Sequence, residues 1–387
     1  MFAISRRSVV EPFHAMDILA AANRKRKEGR PVISLAVGQP SHAAPAAALR
    51  AARSALEHGK IGYTDALGLA SLRQAIAGHY RAHYGVDIAP ERVAVTTGSS
   101  AGFNIAFLAL FDAGDRVAIT RPGYPAYRNI LKALGLEAVE IPVGAATGYT
   151  LTPDALEREA SRSGPIKGVL LASPANPTGT VTGRATLEAL VGYCGANGMA
   201  FISDEIYHGL TFAGEETSAL ALSQDAIVIN SFSKYHCMTG WRIGWMVLPE
   251  RLVRTVERIA QSLYISAPEL SQIAAEAALT ARSELDGVRD TYAANRSLML
   301  DRLPKLGFSI ASPMDGAFYA YTDVSGLTND AMALAYDLLE AIDVAMTPGL
   351  DFDPVDGRHT MRLSYAGSTE EIAEALDRLG AWAAARR

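Results

Sequence analysis

The sequence predicts an α/β protein built on a mostly parallel β-sheet, followed by a smaller α+β unit. Three observations carry that prediction. Short apolar runs rich in Val and Ile alternate with amphipathic segments of helical period between residues 92 and 248. The alternation stops near residue 283, where a long helical segment gives way to short, separated strands. The chain also has 387 residues, more than one hydrophobic core usually serves.

In chain order, residues 11–28 read as a polar-faced helix closed by Gly29. Residues 32–35 read as a strand-like run that turns at Gly38-Gln39-Pro40. From residue 45 to 83, Ala-rich helical segments flank a loop at 59–68. Strand candidates follow at 92–97, 116–120, 167–172, 199–203, 226–231 and 243–248, with helices between most of them, such as 101–111, 125–134 and 184–197. Beyond 283, a helix at 285–303 precedes short strands near 308–310 and 317–321. A helix at 329–342, a strand at 360–364 and a last helix from Thr369 complete the chain.

Composition excludes several classes. Apolar residues make up 49% and charged residues 20%, ordinary for a soluble globular protein. Lys plus Arg number 36 and Asp plus Glu 41, a net charge of −5 with no basic block, so nothing marks a nucleic-acid or anionic-membrane surface. Two cysteines, Cys194 and Cys237, do not make a disulfide framework, and a reducing cytoplasm is the expected location. Arg6-Arg7 hints at a twin-arginine export signal, but Glu11, Pro12, His14 and Asp17 break the apolar stretch such a signal needs. No stretch is long and apolar enough to cross a bilayer.

Ligands of open α/β sheets bind beyond the carboxyl ends of the strands. The first strand candidate runs into Thr97-Gly98-Ser99-Ser100-Ala101-Gly102, small residues opening a helix whose N–H groups suit an anion, although a plain βα turn reads the same. The third runs into Ser173-Pro174-Ala175-Asn176-Pro177-Thr178-Gly179, a stiff loop able to aim Asn176. The fourth ends in Asp204-Glu205-Ile206-Tyr207. An acid there is costly unless partnered, or else is a helix cap. The fifth runs into Ser231-Phe232-Ser233-Lys234, followed by Gly240-Trp241-Arg242-Ile243-Gly244; a lone lysine in such a place is ordinarily a solvated surface residue.

Taken together in this order and spacing, these segments resemble the class I and II aminotransferases, of the aspartate aminotransferase-like fold-type I pyridoxal-phosphate family. The resemblance runs from Gly38 to Arg362. It implies a large domain, residues 45–283, with a mostly parallel seven-stranded sheet flanked by helices. It also implies a small α+β domain formed by the two chain ends, residues 1–44 and 284–387.

The resemblance implies pyridoxal 5′-phosphate as cofactor, with Lys234 as the Schiff-base lysine. Such a lysine must be neutral to attack an aldehyde, so burial or a nearby cation should lower its pKa. Arg242 would be that cation and would grip the phosphate as a fork, with the N–H groups of Ser99 and Ser100 and the hydroxyls of Ser231 and Ser233. Asp204 would pair with the ring nitrogen, Tyr207 and Asn176 with the ring 3-oxygen, and Tyr124 would stack on the ring face. Arg362, in Met361-Arg362-Leu363-Ser364-Tyr365, would hold the substrate α-carboxylate with the Gly38 backbone and Asn176. Tyr63 would reach the cofactor phosphate of a neighbouring subunit, making the active unit a homodimer. The implied activity is transfer of an amino group between an L-amino acid and a 2-oxo acid by a ping-pong route. A lyase or synthase on the same scaffold, such as a carbon–sulfur lyase, is the alternative, because its cofactor residues would be identical. A ligand-sensing regulator would carry an added DNA-binding domain, which the forty or so residues before Gly38 do not supply.

The sequence departs from dicarboxylate-specific members of the family. One subgroup places a lysine where this chain has Ser100. An unpaired distal carboxylate in a buried pocket costs several kcal/mol, so the expected donor is a neutral amino acid unless His14, His42 or a partner residue supplies the charge. Gln39 stands where an acidic residue is commoner.

Overall fold

The computed structural model describes residues 2–386. Its centre is a sheet of seven strands: β1 (Val93–Thr96), β2 (Arg116–Arg121), β3 (Glu137–Pro142), β4 (Gly168–Ala172), β5 (Ala200–Asp204), β6 (Ile227–Ser231) and β7 (Gly244–Val247). Their spatial order is β1-β7-β6-β5-β4-β2-β3. Strand β7 runs antiparallel to both neighbours, and all other pairs are parallel.

Every residue of β1, β6 and β7 is buried, which is why these strands read as unbroken apolar runs. Alternate residues face two separate apolar layers: Val93 and Val95 join one, and Ala94 the other. Helices Gly98–Leu110, Pro125–Leu134 and Glu250–Leu263 cover one face, and Ala46–Glu57, Ala70–Tyr84, Arg184–Ala196 and Glu269–Ala278 cover the other. Strand β3 had no counterpart among the strand candidates. It lies at the sheet edge, and its sequence Glu-Ala-Val-Glu-Ile-Pro buries only Val139 and Ile141 fully, so its apolar signal is thin.

A third apolar layer gathers both ends of the chain. It joins residues of helix His14–Lys27 and the segment after it to helices Ala331–Ile342 and Thr369–Ala384, and to a small antiparallel sheet. In that sheet β8 (Tyr319–Asp323) pairs with β9 (Thr360–Ser364), flanked by Ser309–Ile310 and Thr347–Pro348. Ile33–Ser34 pairs in parallel with Val344–Ala345, tying the first segment to the last hundred residues.

Two of the boundaries that differ from the sequence expectation bear on the site. The first helix begins at His14, past Pro12, and its N-terminus is capped from far away: Asp351 accepts the N–H groups of His14 and Ala15, both at 2.8 Å. Such a cap is worth about 1 kcal/mol and fixes where the N-terminal segment sits. The helix after β1 begins at Gly98, three residues earlier than expected, so Ser99 and Ser100 lie in its first turn. Among the described residues no helix is long and apolar enough to cross a membrane.

Candidate active site

A cavity of about 250 Å³ opens beyond the carboxyl ends of β4, β5 and β6, where the large sheet meets the layer built from the chain ends. Asp204 is the last residue of β5, Asn176 lies in the loop after β4, and Ser233 and Lys234 follow β6. From the opposite side come Gly38, Tyr319 on β8 and Arg362 on β9.

Burial draws the pKa values of Lys234 and Asp204 toward neutrality. The Lys234 amine donates to the Gly38 carbonyl at 2.6 Å and lies 5.9 Å from the ring centres of Tyr207 and Phe318. Burial, then the positive charges of Arg362 and Arg242, push its pKa down to about 8, against the pull of Asp204. At neutral pH this leaves a few hundred-fold more neutral amine than a free lysine has. Burial pushes Asp204 up to about 6, opposed first by a hydrogen bond from the Tyr127 hydroxyl and then by the Ile206 N–H at 3.0 Å.

One end of the cavity is built for an anion. The first turn of helix Gly98–Leu110 has no side-chain cap, so its N–H groups are free for a ligand. Arg242 lies against that turn: a Cβ at Gly98 would come 2.6 Å from its Nη2, and Gly98 itself needs φ of +73°. Ser99, Ser100, Ser233 and Thr239 line the same end.

The other end suits a carboxylate. Arg362 is 4% exposed, with its guanidinium carbon 4.4 Å from the Tyr319 ring centre and 4.6 Å from that of Phe352. It donates to Asn176 Oδ1 at 3.0 Å and to the Ala36 carbonyl at 2.5 Å, and its Nε has no partner. No carboxylate lies within 4 Å of it among the described residues. A buried cation without a counter-ion is an incomplete arrangement that an anionic ligand completes. Only glycine fits at position 38, because a Cβ there would overlap the Tyr319 hydroxyl.

Of the residues singled out in the sequence, the cavity brings together Gly38, Ser99, Ser100, Tyr124, Asn176, Asp204, Tyr207, Ser233, Lys234, Arg242 and Arg362. Two stand apart. Ser231 is buried behind the wall, within reach of the Ser233 hydroxyl at 2.8 Å and the Ile243 carbonyl at 3.0 Å, so it does not face this cavity. Tyr63 is 82% exposed on the loop between Ala46–Glu57 and Ala70–Tyr84, away from the cavity of its own chain. Neither His14 nor His42 lines the cavity, and its only lysine or arginine side chains among the described residues are Lys234, Arg242 and Arg362.

Sequence reasoning missed Phe13, Met16, Val37, Tyr127 and Tyr319. Phe13 and Met16 arrive through the Asp351 cap, a contact across more than three hundred residues that no local signal announces. Tyr127 follows Tyr124 at helical spacing, a signal that was available. Tyr319 shares a face of β8 with Tyr321, which pairs with Arg362, and its hydroxyl bonds that of Tyr207 at 2.7 Å. A larger hollow of about 450 Å³ opens on the other side of the loop bearing Lys234, beside His79, His83, His208 and His236; it contains neither Lys234 nor Asp204.

The sequence from residue 30 to 379 matches the family described as aminotransferase class I and II. The chain belongs to this family. It is 48% identical over 384 residues to a valine–pyruvate aminotransferase of Mycobacterium tuberculosis, covering 98% of each chain. It is 36% identical to an aspartate aminotransferase of Thermotoga maritima, covering 97% of this chain and 98% of the other. Among solved structures, an aminotransferase from Mycobacterium tuberculosis superposes with a TM-score of 0.96 at 46% identity, with both chains fully covered. The fold is the fold-type I α/β architecture. The chain is a transaminase that exchanges the amino group of an amino acid with the oxo group of a 2-oxo acid, and these relatives favour transfer over the lyase alternative.

Proposed function

We propose that the chain binds pyridoxal 5′-phosphate covalently through Lys234 and transfers amino groups in a ping-pong cycle, with neutral amino acids as preferred donors. One observation carries this reading: a buried lysine whose pKa is lowered and a buried acid share one cavity, between an anion site and an arginine with no counter-ion.

The donor set fits the cofactor. The uncapped N–H groups at Ser99 and Ser100, the Ser233 hydroxyl and the Arg242 fork would hold the phosphate. Asp204 would face the ring nitrogen, Tyr207 and Asn176 the ring oxygen, and Tyr124 the ring face. When bound, the cofactor supplies an electrophilic carbonyl carbon for amines and a conjugated ring that takes up the electron pair left at the substrate Cα. Arg362 orients the substrate by its α-carboxylate, helped by Asn176 and the Gly38 backbone. The Lys234 amine would hold and move the substrate Cα proton, a positioned acid–base role worth roughly 10²–10⁴-fold. Asp204 would accept from the ring N–H and favour the protonated ring.

Donor preference follows from charge. With Lys234 and Arg362 committed and Arg242 at the phosphate end, no other lysine or arginine among the described residues of this chain lines the cavity to meet a distal carboxylate. Phe13, Met16 and Val37 offer apolar surface. The valine–pyruvate relative agrees with a neutral aliphatic donor and a small oxo-acid acceptor.

The same proposal includes a cytoplasmic homodimer in which Tyr63 serves the neighbour's phosphate. Its exposure, with exposed Ile61 two residues before it and exposed Ile265 next to Ser266, which bonds Thr64, supports that reading. It also includes the division into a cofactor-binding domain, 45–283, and a small domain, 1–44 with 284–387, in keeping with the separate apolar layer of the chain ends. A half-reaction screen tests the function. Each amino acid is added in turn to the cofactor-loaded protein without acceptor, and loss of the cofactor's visible absorption is followed. Neutral aliphatic amino acids should bleach it with release of the matching 2-oxo acid. Release of pyruvate and ammonia with no bleaching would overturn it.

A further inference from the structure

We propose that Tyr127 is a positioning residue: its hydroxyl, donated to Asp204 Oδ2, keeps that carboxylate ionised and aimed at the cofactor's ring nitrogen. The proposal rests on the pyridoxal-phosphate reading and adds the device by which this chain adjusts it.

Tyr127 lies in the first turn of helix Pro125–Leu134 and is 5% exposed. Its ring is held edge-on by Phe103, at 5.2 Å and 70°, and by Tyr124, at 5.2 Å and 84°. From that packing the hydroxyl donates to Asp204 Oδ2. The other carboxylate oxygen, Oδ1, accepts the Ile206 N–H at 3.0 Å, so one donor on each oxygen fixes the carboxylate plane at the end of β5.

The charges around Asp204 show why the hydroxyl matters. Burial favours its neutral form, and Glu205, next along the chain, adds to that; His208 opposes it. Lys234 faces it from the loop after β6, and Tyr124 and Tyr207 bring only neutral phenols. Tyr127 opposes burial most strongly. Burial and the acid together hold the Tyr127 phenol far above its usual pKa, so it stays protonated and has a proton to donate to the carboxylate. A carboxylate and a pyridine nitrogen compete for one proton. A hydrogen bond given to the carboxylate weakens its claim and leaves the proton on the ring, and a protonated ring is the better electron sink.

The test uses the holoenzyme loaded with cofactor labelled with nitrogen-15 in the ring, read by NMR. Wild-type protein should show a protonated ring nitrogen at neutral pH. Tyr127→Phe keeps the ring packing and should move the signal toward unprotonated pyridine. It should lower kcat about 10- to 100-fold, the range expected for one hydrogen bond to a charged group, with KM for the amino acid little changed. 3-Fluorotyrosine at position 127 is a stronger donor of nearly the same shape and should hold the nitrogen signal at or beyond its wild-type, protonated position at neutral pH. It decides the matter if Tyr127→Phe does not fold. A nitrogen signal that matches wild type in Tyr127→Phe, or that moves toward unprotonated pyridine in the 3-fluorotyrosine protein, overturns the role of Tyr127 while leaving the cofactor reading intact. A wild-type protein that takes up no cofactor overturns both.

Discussion

Replacing Arg362 with lysine probes the substrate end of the cavity with its fold left in place. The guanidinium now serves Asn176 Oδ1 and the Ala36 carbonyl while keeping donors for a ligand, and it lies between the Tyr319 and Phe352 rings. A lysine keeps the charge but has three donors on one atom and no planar fork. It cannot satisfy both internal acceptors and grip a carboxylate with two parallel bonds. Losing one charge-assisted bond costs about 1.5–3 kcal/mol, or about 10- to 100-fold in affinity. Steady-state kinetics should therefore show KM rising by that factor for the amino acid and the oxo acid alike, because both present the same carboxylate. The fall in kcat should be smaller. A primary amine lacking the carboxylate supplies the control, since its kcat/KM should hardly change. Unchanged KM for both acids, or an equal loss with the amine, would refute the assignment.

Three further expectations follow from the same geometry. Ser100→Lys adds a cation at an exposed position on the cavity rim and should raise the ratio of kcat/KM for aspartate over valine by about 2- to 5-fold, the worth of one exposed charge pair; an unchanged ratio in competition assays counts against the charge argument. Asp204→Asn should lower kcat by at least 100-fold with little change in cofactor affinity, and near-normal turnover would remove Asp204 from the chemistry. His236 is 5% exposed, lacks a partner for Nδ1, and burial pushes it down to about 3. Its folded value lies below the ordinary 6.5, so the stability it permits is full above pH 6.5 and falls as pH drops toward 3, by about 1.4 kcal/mol per unit. His79, at about 4, acts in the same direction, whereas Asp204, at about 6, acts in the opposite one. Only the difference between wild type and His236→Phe isolates the group. The variant's Tm should fall less between neutral pH and about pH 5, and identical pH profiles would contradict the reasoning.

Much of the site was legible because the chemistry sits where strands end. Buried parallel strands write themselves as Val- and Ile-rich runs, and the residues that end or follow β1, β4, β5 and β6 form one side of the cavity. What stayed hidden has physical reasons. Strand β3 buries too little to carry an apolar signature. Ser231 and Ser233 are two residues apart in one motif, yet the backbone turns between them and only Ser233 reaches the cavity. Phe13 and Met16 depend on Asp351, whose two hydrogen bonds to the first helix cannot be inferred from either neighbourhood. Tyr319 acts by closing on Gly38 and Tyr207, contacts that exist only once the chain ends have folded against the large sheet.

The central claim is a covalent bond between the cofactor and Lys234. The measurement that tests it most directly is borohydride reduction of the purified, cofactor-loaded protein, followed by proteolysis and mass spectrometry of every lysine-containing peptide. The account predicts a pyridoxyl adduct on Lys234 alone, lost in Lys234→Ala together with turnover. An adduct on another lysine, no adduct at all, or a Lys234→Ala protein with near wild-type transaminase activity would contradict it.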